Sequence, residues 1–148
     1  MDTSFLSEAY FTRDKIVQHH IDSYNKFLNS GLQKVIDEQH LIETDIEDIY
    51  VKLGRIRVEK PVVKEADGAI ENLYPNEARL RNLSYSAPLF LEMSVVKGGE
   101  ESEPREAKIG QLPVMIKSEI CNLVGIDDEE MIEHGEDPLD PGGYFIVN

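Results

Sequence analysis

From Arg13 to Gln39 the apolar residues recur at three- and four-residue steps. Ile16, Val17, His20, Ile21, Tyr24, Phe27 and Leu28 are placed on one face of a helix by this spacing. Thr12 reads as its N-cap. Gly31 either ends or kinks it, with Leu32, Val35 and Ile36 continuing for a turn or two. After Thr44 the period falls to two. Ile49, Val51 and Leu53 alternate with Tyr50 and Lys52, and Ile56 and Val58 alternate with Arg55 and Arg57. These are two strand runs, with Gly54 between them as a candidate bulge. Pro61 points to a strand end or sheet edge, and Asp67-Gly68 marks a hairpin turn.

Pro75 opens a short helical run that includes residues 77–81. Pro88 opens a strand in which Leu89, Leu91, Met93 and Val95 face one way, and Phe90, Glu92 and Ser94 the other. Residues 97–107, within KGGEESEPREAK, read as an acidic loop or hairpin tip between two strands. EICNLVG and DDEEMIEHGEDP read as short helical turns, the second starting near Asp127, where negative charge is favoured. DPGG then makes a tight turn into an apolar strand at Tyr144, Phe145, Ile146 and Val147. The expected class is α+β: one long N-terminal helix, then mixed strands and short helices.

Composition narrows the function. The 148 residues carry 29 Asp plus Glu against 15 Lys plus Arg, a net charge of −14. That argues against a generic DNA-coating module, whose long-range field should be positive, but leaves room for local phosphate contacts. The single cysteine, Cys121, can form neither an internal disulfide nor a Cys-rich zinc site. The N-terminus has no basic and apolar signal-peptide pattern, and no apolar run spans a membrane, so a cytoplasmic protein is expected.

Candidate chemistry is sparse. His19 and His20 are adjacent, not spaced i, i+4 around a Glu as in zinc proteases; the reading is a packed His20 and a solvated His19. His40 and His134 stand alone in the sequence. The acids at 127–130 lack calcium-loop spacing and read as a solvated helix start. No glycine-rich phosphate loop occurs, and Ser84, Ser86 and Cys121 lack an activating motif. No catalytic, metal or cofactor residue is therefore assigned. Arg55 with Arg57, and Arg79 with Arg81, form i, i+2 pairs that are candidate nucleic-acid or partner contacts. Ion pairing with the chain's own carboxylates is the simpler reading and comes first.

Five stretches in order carry a family resemblance: IVQHHIDSYNKFL, RIRVEKPVVKEADG, LYPNEARLRNLSYSAPLFLEM, IGQLPVMIKSEICNL and DPLDPGGYFIVN. They resemble the N-terminal part of the second-largest subunit of multisubunit DNA-directed RNA polymerase. The strings are similar to the archaeal form of that subunit, including the form encoded by a split gene, and to methanogens in particular. The resemblance runs from about Thr12 to Asn148. It implies the first part of the protrusion domain, one wall of the DNA cleft, present as a single truncated domain over residues 1–148. In the family the strand at 144–147 continues into further sequence, so the resemblance implies a fragment.

The implied role is non-catalytic scaffolding within a nucleotidyltransferase, with the fragment inactive alone and the enzyme's magnesium held elsewhere. Implied partners are other polymerase subunits, DNA through the assembled enzyme, and general transcription factors. An interaction protein that stands alone and binds polymerase subunits or transcription factors is the competing reading. An independent small enzyme is the third.

Overall fold

The computed structural model describes the backbone of residues 4–148 and side chains from residue 14 onward. Helix α1 (Ser4–Lys26) runs into a π-turn (Phe27–Gly31) and then α2 (Leu32–Glu38). Strands β1 (Leu41–Glu43), β2 (Ile49–Val58), β3 (Val62–Lys64) and β4 (Ile70–Asn72) follow. Next come α3 (Pro75–Leu80), β5 (Ser86–Lys97), β6 (Glu100–Glu101), β7 (Arg105–Pro113) and α4 (Asp128–Glu133). The class is α+β, as the patterning implies.

The chain divides into two compact units. The first comprises Met1–Asn25, Lys60–Ser86 and Pro113–Asn148; the second comprises Lys26–Glu59 and Ala87–Leu112.

In the first unit α1 spans Ser4–Lys26, so Thr12 lies inside the helix and does not cap it. The reason is local: no Pro or Gly interrupts residues 4–30. The inward line of α1 is also narrower than its periodicity implies. Ile21 and Tyr24 are buried, whereas Ile16 is 53% exposed and His20 is exposed. The packed His20 is thus corrected: neighbours in a helix sequence point about 100° apart, so positions 20 and 21 cannot both face inward. Tyr24 donates to Pro113 O at 2.5 Å and meets the Phe145 ring edge-on at 5.7 Å.

Residues 115–125 form successive i to i−3 turns (Ser118 to Met115, Cys121 to Ser118, Val124 to Cys121) without an assigned helix. The β3–β4 hairpin closes through Glu65 N to Ala69 O at 2.8 Å, with Gly68 at φ +89° supplying the turn.

The expected C-terminal strand is not a strand. Gly143 N donates to Ile116 O, Ile116 N to Tyr144 O, and Tyr85 N to Ile146 O. The segment therefore changes partner from Ile116 to Tyr85 after two residues, too soon for a ladder to form. The glycines of DPGG do more than turn the chain. A Cβ on Gly142 would lie 2.5 Å from Ile116 O, and one on Gly143 2.8 Å from Val17 Cγ1, with both residues at positive φ. Only glycine lets the backbone come so close to residue 116 and to α1.

In the second unit the sheet order is β1-β2-β5-β6, with β7 also pairing β5. The β2–β5 register slips by one residue between Leu53 and Ile56, the bulge expected at Gly54. Gln33 of α2 meets that bulge from both ends. Its Nε2 donates to Gly54 O at 3.0 Å and its Oε1 accepts from Ile56 N at 2.9 Å. The β5–β6 hairpin turns on Gly98 and Gly99, both at positive φ, as a two-residue loop between right-twisted strands requires. The alternation expected along β5 breaks near this hairpin: Ser94 is buried and Val95 is 44% exposed. The Ser94 hydroxyl donates to Glu101 Oε1 at 2.8 Å, so the folded-back hairpin covers it.

Candidate nucleic-acid and partner contacts

Strand alternation puts Arg55 and Arg57 on the exposed side of β2, opposite the half-buried Ile56 and Val58. Arg57 is already occupied. Its Nη2 and Nε reach both oxygens of Glu106 at 2.5 and 3.2 Å, and Nη1 reaches Glu59 at 2.5 Å. Its guanidinium carbon sits 4.5 Å above the ring of Phe90, its cross-strand partner in the register. The hydrogen bonds to Glu106 and Glu59 raise the Arg57 pKa, and Arg57 in turn holds the Glu106 carboxyl below its ordinary 4.5. Arg55 is exposed and has no ion-pair partner among the described residues.

Arg79 and Arg81 are not brought together. Helical geometry turns residues two apart by about 200°. Arg81 pairs with Glu65 and Glu77, each at 2.9 Å, and these hydrogen bonds raise its pKa, Glu65 most. Arg79 lies 3.7 Å from Glu136, whose side chain is only 6% exposed, and it donates to Tyr144 Oη. Tyr144 donates to Asp140 Oδ2 at 2.6 Å. Burial, then that bond to Asp140, pushes its phenol up to about 12. Glu136 also accepts from Asn76 N at 2.5 Å, which ties the start of α3 to the loop after α4.

The remaining polar candidates are structural in geometry. Asp127 caps α4 by accepting from Glu130 N at 2.8 Å, the helix start read from DDEE. His134 stacks on Tyr74 with centroids 3.7 Å apart, a contact between residues sixty apart that no local pattern announces. Cys121 is buried and its sulfur accepts from Tyr85 Oη at 3.4 Å. Asn122 donates its backbone N–H to Tyr85 Oη and its amide to Pro61 O and Leu73 O at 2.8 and 2.7 Å. Among the described residues, no group of three or more His, Cys, Asp or Glu is placed to hold a metal ion. No described helix is long and apolar enough to cross a membrane.

Comparison with known proteins decides the family. A family model described as RNA polymerase beta subunit matches residues 15–148. The chain belongs to that family. DNA-directed RNA polymerase subunit Rpo2N of Halobacterium salinarum is 53% identical over 158 aligned residues, covering 99% of this chain and 30% of the relative. Rpo2N of Methanocaldococcus jannaschii is 54% identical, covering 97% of the chain and 30% of the relative. Subunit Rpo2 of Saccharolobus solfataricus is 51% identical, covering 95% of the chain and 12% of the relative. The chain thus spans under a third of the length of these polymerase subunits, and all three relatives are archaeal, as the resemblance implies.

Three of the four candidates are spent on carboxylates of this chain; Glu59 and Glu77 lie two and four residues from their arginines, whereas Glu65, Glu106 and Glu136 come from distant stretches. No sequence-local signal could have named the distant ones.

Proposed function

We propose that the chain forms a non-catalytic, scaffolding part of a DNA-directed RNA polymerase. It contributes to one wall of the DNA cleft and contacts other subunits, DNA and general transcription factors in the assembled enzyme. Nucleotide transfer, and the magnesium it needs, belong to residues outside these 148. The observation that carries this reading is identity above 50% to archaeal polymerase subunits along almost the whole chain. The side chains are in keeping with it: the buried Cys121, Tyr85, Asn122 and Glu136 are engaged in bonds that hold turns and hairpins together.

A chimera tests the reading. The aligned segment of the Methanocaldococcus subunit is replaced by these 148 residues, and the polymerase is reconstituted with its other subunits. Assembly and promoter-independent transcription at near parental level are expected. A chimera that folds but does not enter the assembly would overturn the proposal.

A further inference from the structure

We infer that the free edge of β1 is a docking site for a basic, extended segment of another polypeptide, which adds to the sheet as one more strand. β1 pairs with β2 alone, Leu41 opposite Lys52 and Glu43 opposite Tyr50. Leu53 N donates to His40 O at 2.8 Å, and this sets the phase of the ladder. His40 O and the backbone groups of Ile42 face β2 in this phase, so the N–H and C=O groups of Leu41 and Glu43 point the other way. These four groups have no partner among the described residues.

The side chains at this edge are open as well. Leu41 is 50% exposed, Ile42 48%, and Ile46 just beyond the strand 63%. Proteins usually blunt such an edge with lysine or proline. Residues 35–51 contain no Lys, Arg or Pro. They contain six acids, Asp37, Glu38, Glu43, Asp45, Glu47 and Asp48, none in an ion pair among the described residues.

The sign of that charge selects the occupant. A second copy of the chain would set six more carboxylates against these, and a nucleic acid would be repelled in the same way. A strand alternating Lys or Arg with apolar residues meets every unmatched feature at once. Its backbone completes the bonds of Leu41 and Glu43, its apolar side chains cover Ile42 on one face, and on the other its cations meet Glu43 and lay their alkyl stems over Leu41. β1 has only three residues, so few backbone bonds form, and apolar and charge contacts carry much of the affinity. The inference is read from the sheet edge and stands or falls apart from the polymerase assignment.

The test uses the full chain and a capped synthetic peptide of about ten residues alternating Lys and Val, the length of a long strand. Amide hydrogen exchange and NMR titration are the readouts. The Leu41 and Glu43 amides should gain protection on binding. Neutralising three acids together (E43Q/D45N/E47Q) should weaken affinity about tenfold. N-methylating the peptide's inward amides should weaken binding and remove the protection of Leu41 and Glu43, a control that does not depend on any protein variant folding. A Glu–Val peptide should not bind. Binding indifferent to N-methylation, shifts confined to other surfaces, or no binding of the Lys–Val peptide would each overturn the inference. So would protection of Leu41 and Glu43 that appears on raising protein concentration, or on adding an oligonucleotide, without peptide.

Discussion

Asn122 shows how much one buried amide can organise. Its side chain donates to Pro61 O and Leu73 O, while Leu73 N itself bonds Pro61 O, so Asn122 closes the base of the β3–β4 hairpin. Its backbone holds Tyr85, whose phenol in turn meets Cys121. Replacing Asn122 by Ala leaves Leu73 O unpaired and Pro61 O held by Leu73 N alone, and is expected to cost about 1–3 kcal/mol, read as a lower urea midpoint with an unchanged slope.

The phenols give a second readout at this scale. Burial pushes Tyr24 and Tyr144 up to about 12, and Tyr85 up as well. Their folded pKa values exceed the ordinary 10, so the stability they contribute is whole below pH 10 and drains away as pH rises through 12. Phenolate absorbance should therefore rise in two stages, the later one coinciding with unfolding. A single stage centred on pH 10 would contradict the burial of these rings. None of this was legible in the sequence, where Asn122 sits inside an ordinary EICNLVG and only tertiary contact gives it a role.

The elements themselves were easier to read, because their signals are local. Pro75 at the first position of α3, Asp127 as the cap of α4, and the two glycines between β5 and β6 all act where the sequence puts them. Failures came where a partner from elsewhere decides. His20 lost its inward place to Ile21, Ser94 was covered by the β6 hairpin, and residues 144–147 divide their bonds between two segments. Gly54 was recognisable as a bulge, but its stabiliser was not. Gln33 supplies both an acceptor and a donor to it. Gln33→Ala should leave the Ile56 amide unpaired and cost about 1–2 kcal/mol, with faster hydrogen exchange at Ile56 than at its β2 neighbours. Gln33→Glu should restore the acceptor but not the donor, and recover only part of that protection.

The Arg57–Glu106 pair ties β2 to β7 within the same sheet, and pH tests it. Glu106 titrates below 4.5 in the folded chain because Arg57 hydrogen-bonds it, and Glu101 does so through Ser94 and then Lys52. Depressed carboxyl values contribute stability that is present above pH 4.5 and lost as pH falls through the folded value. Glu106→Gln should therefore lower the melting temperature near neutrality. The gap to the parent chain should close as pH drops below 4.5. Both partners are solvent-exposed, so the shift should be small and should shrink in salt.

At the scale of the whole molecule, the two units interleave in sequence, one built from three stretches and the other from two. Their boundaries fall at the ends of helices and strands and not at a linker. The same interleaving governs the arginines. Counterion release on binding DNA requires a cation that is not already neutralised, and each phosphate contact steepens the dependence of log affinity on log salt by about 0.9. Arg57, Arg79 and Arg81 are compensated by carboxylates of their own unit, whereas Arg55 stands exposed without an ion-pair partner among the described residues. In a polymerase reconstituted with the complete subunit, Arg55→Gln should weaken DNA binding across sequences and flatten the salt slope by about 0.9. Arg57→Gln and Arg81→Gln should leave the slope unchanged and appear instead as lost thermal stability. A slope that moves with Arg57 would mean that its pairs with Glu106 and Glu59 open on DNA. A slope that moves with none of the three would return all of them to structural duty and leave the cleft role to other side chains.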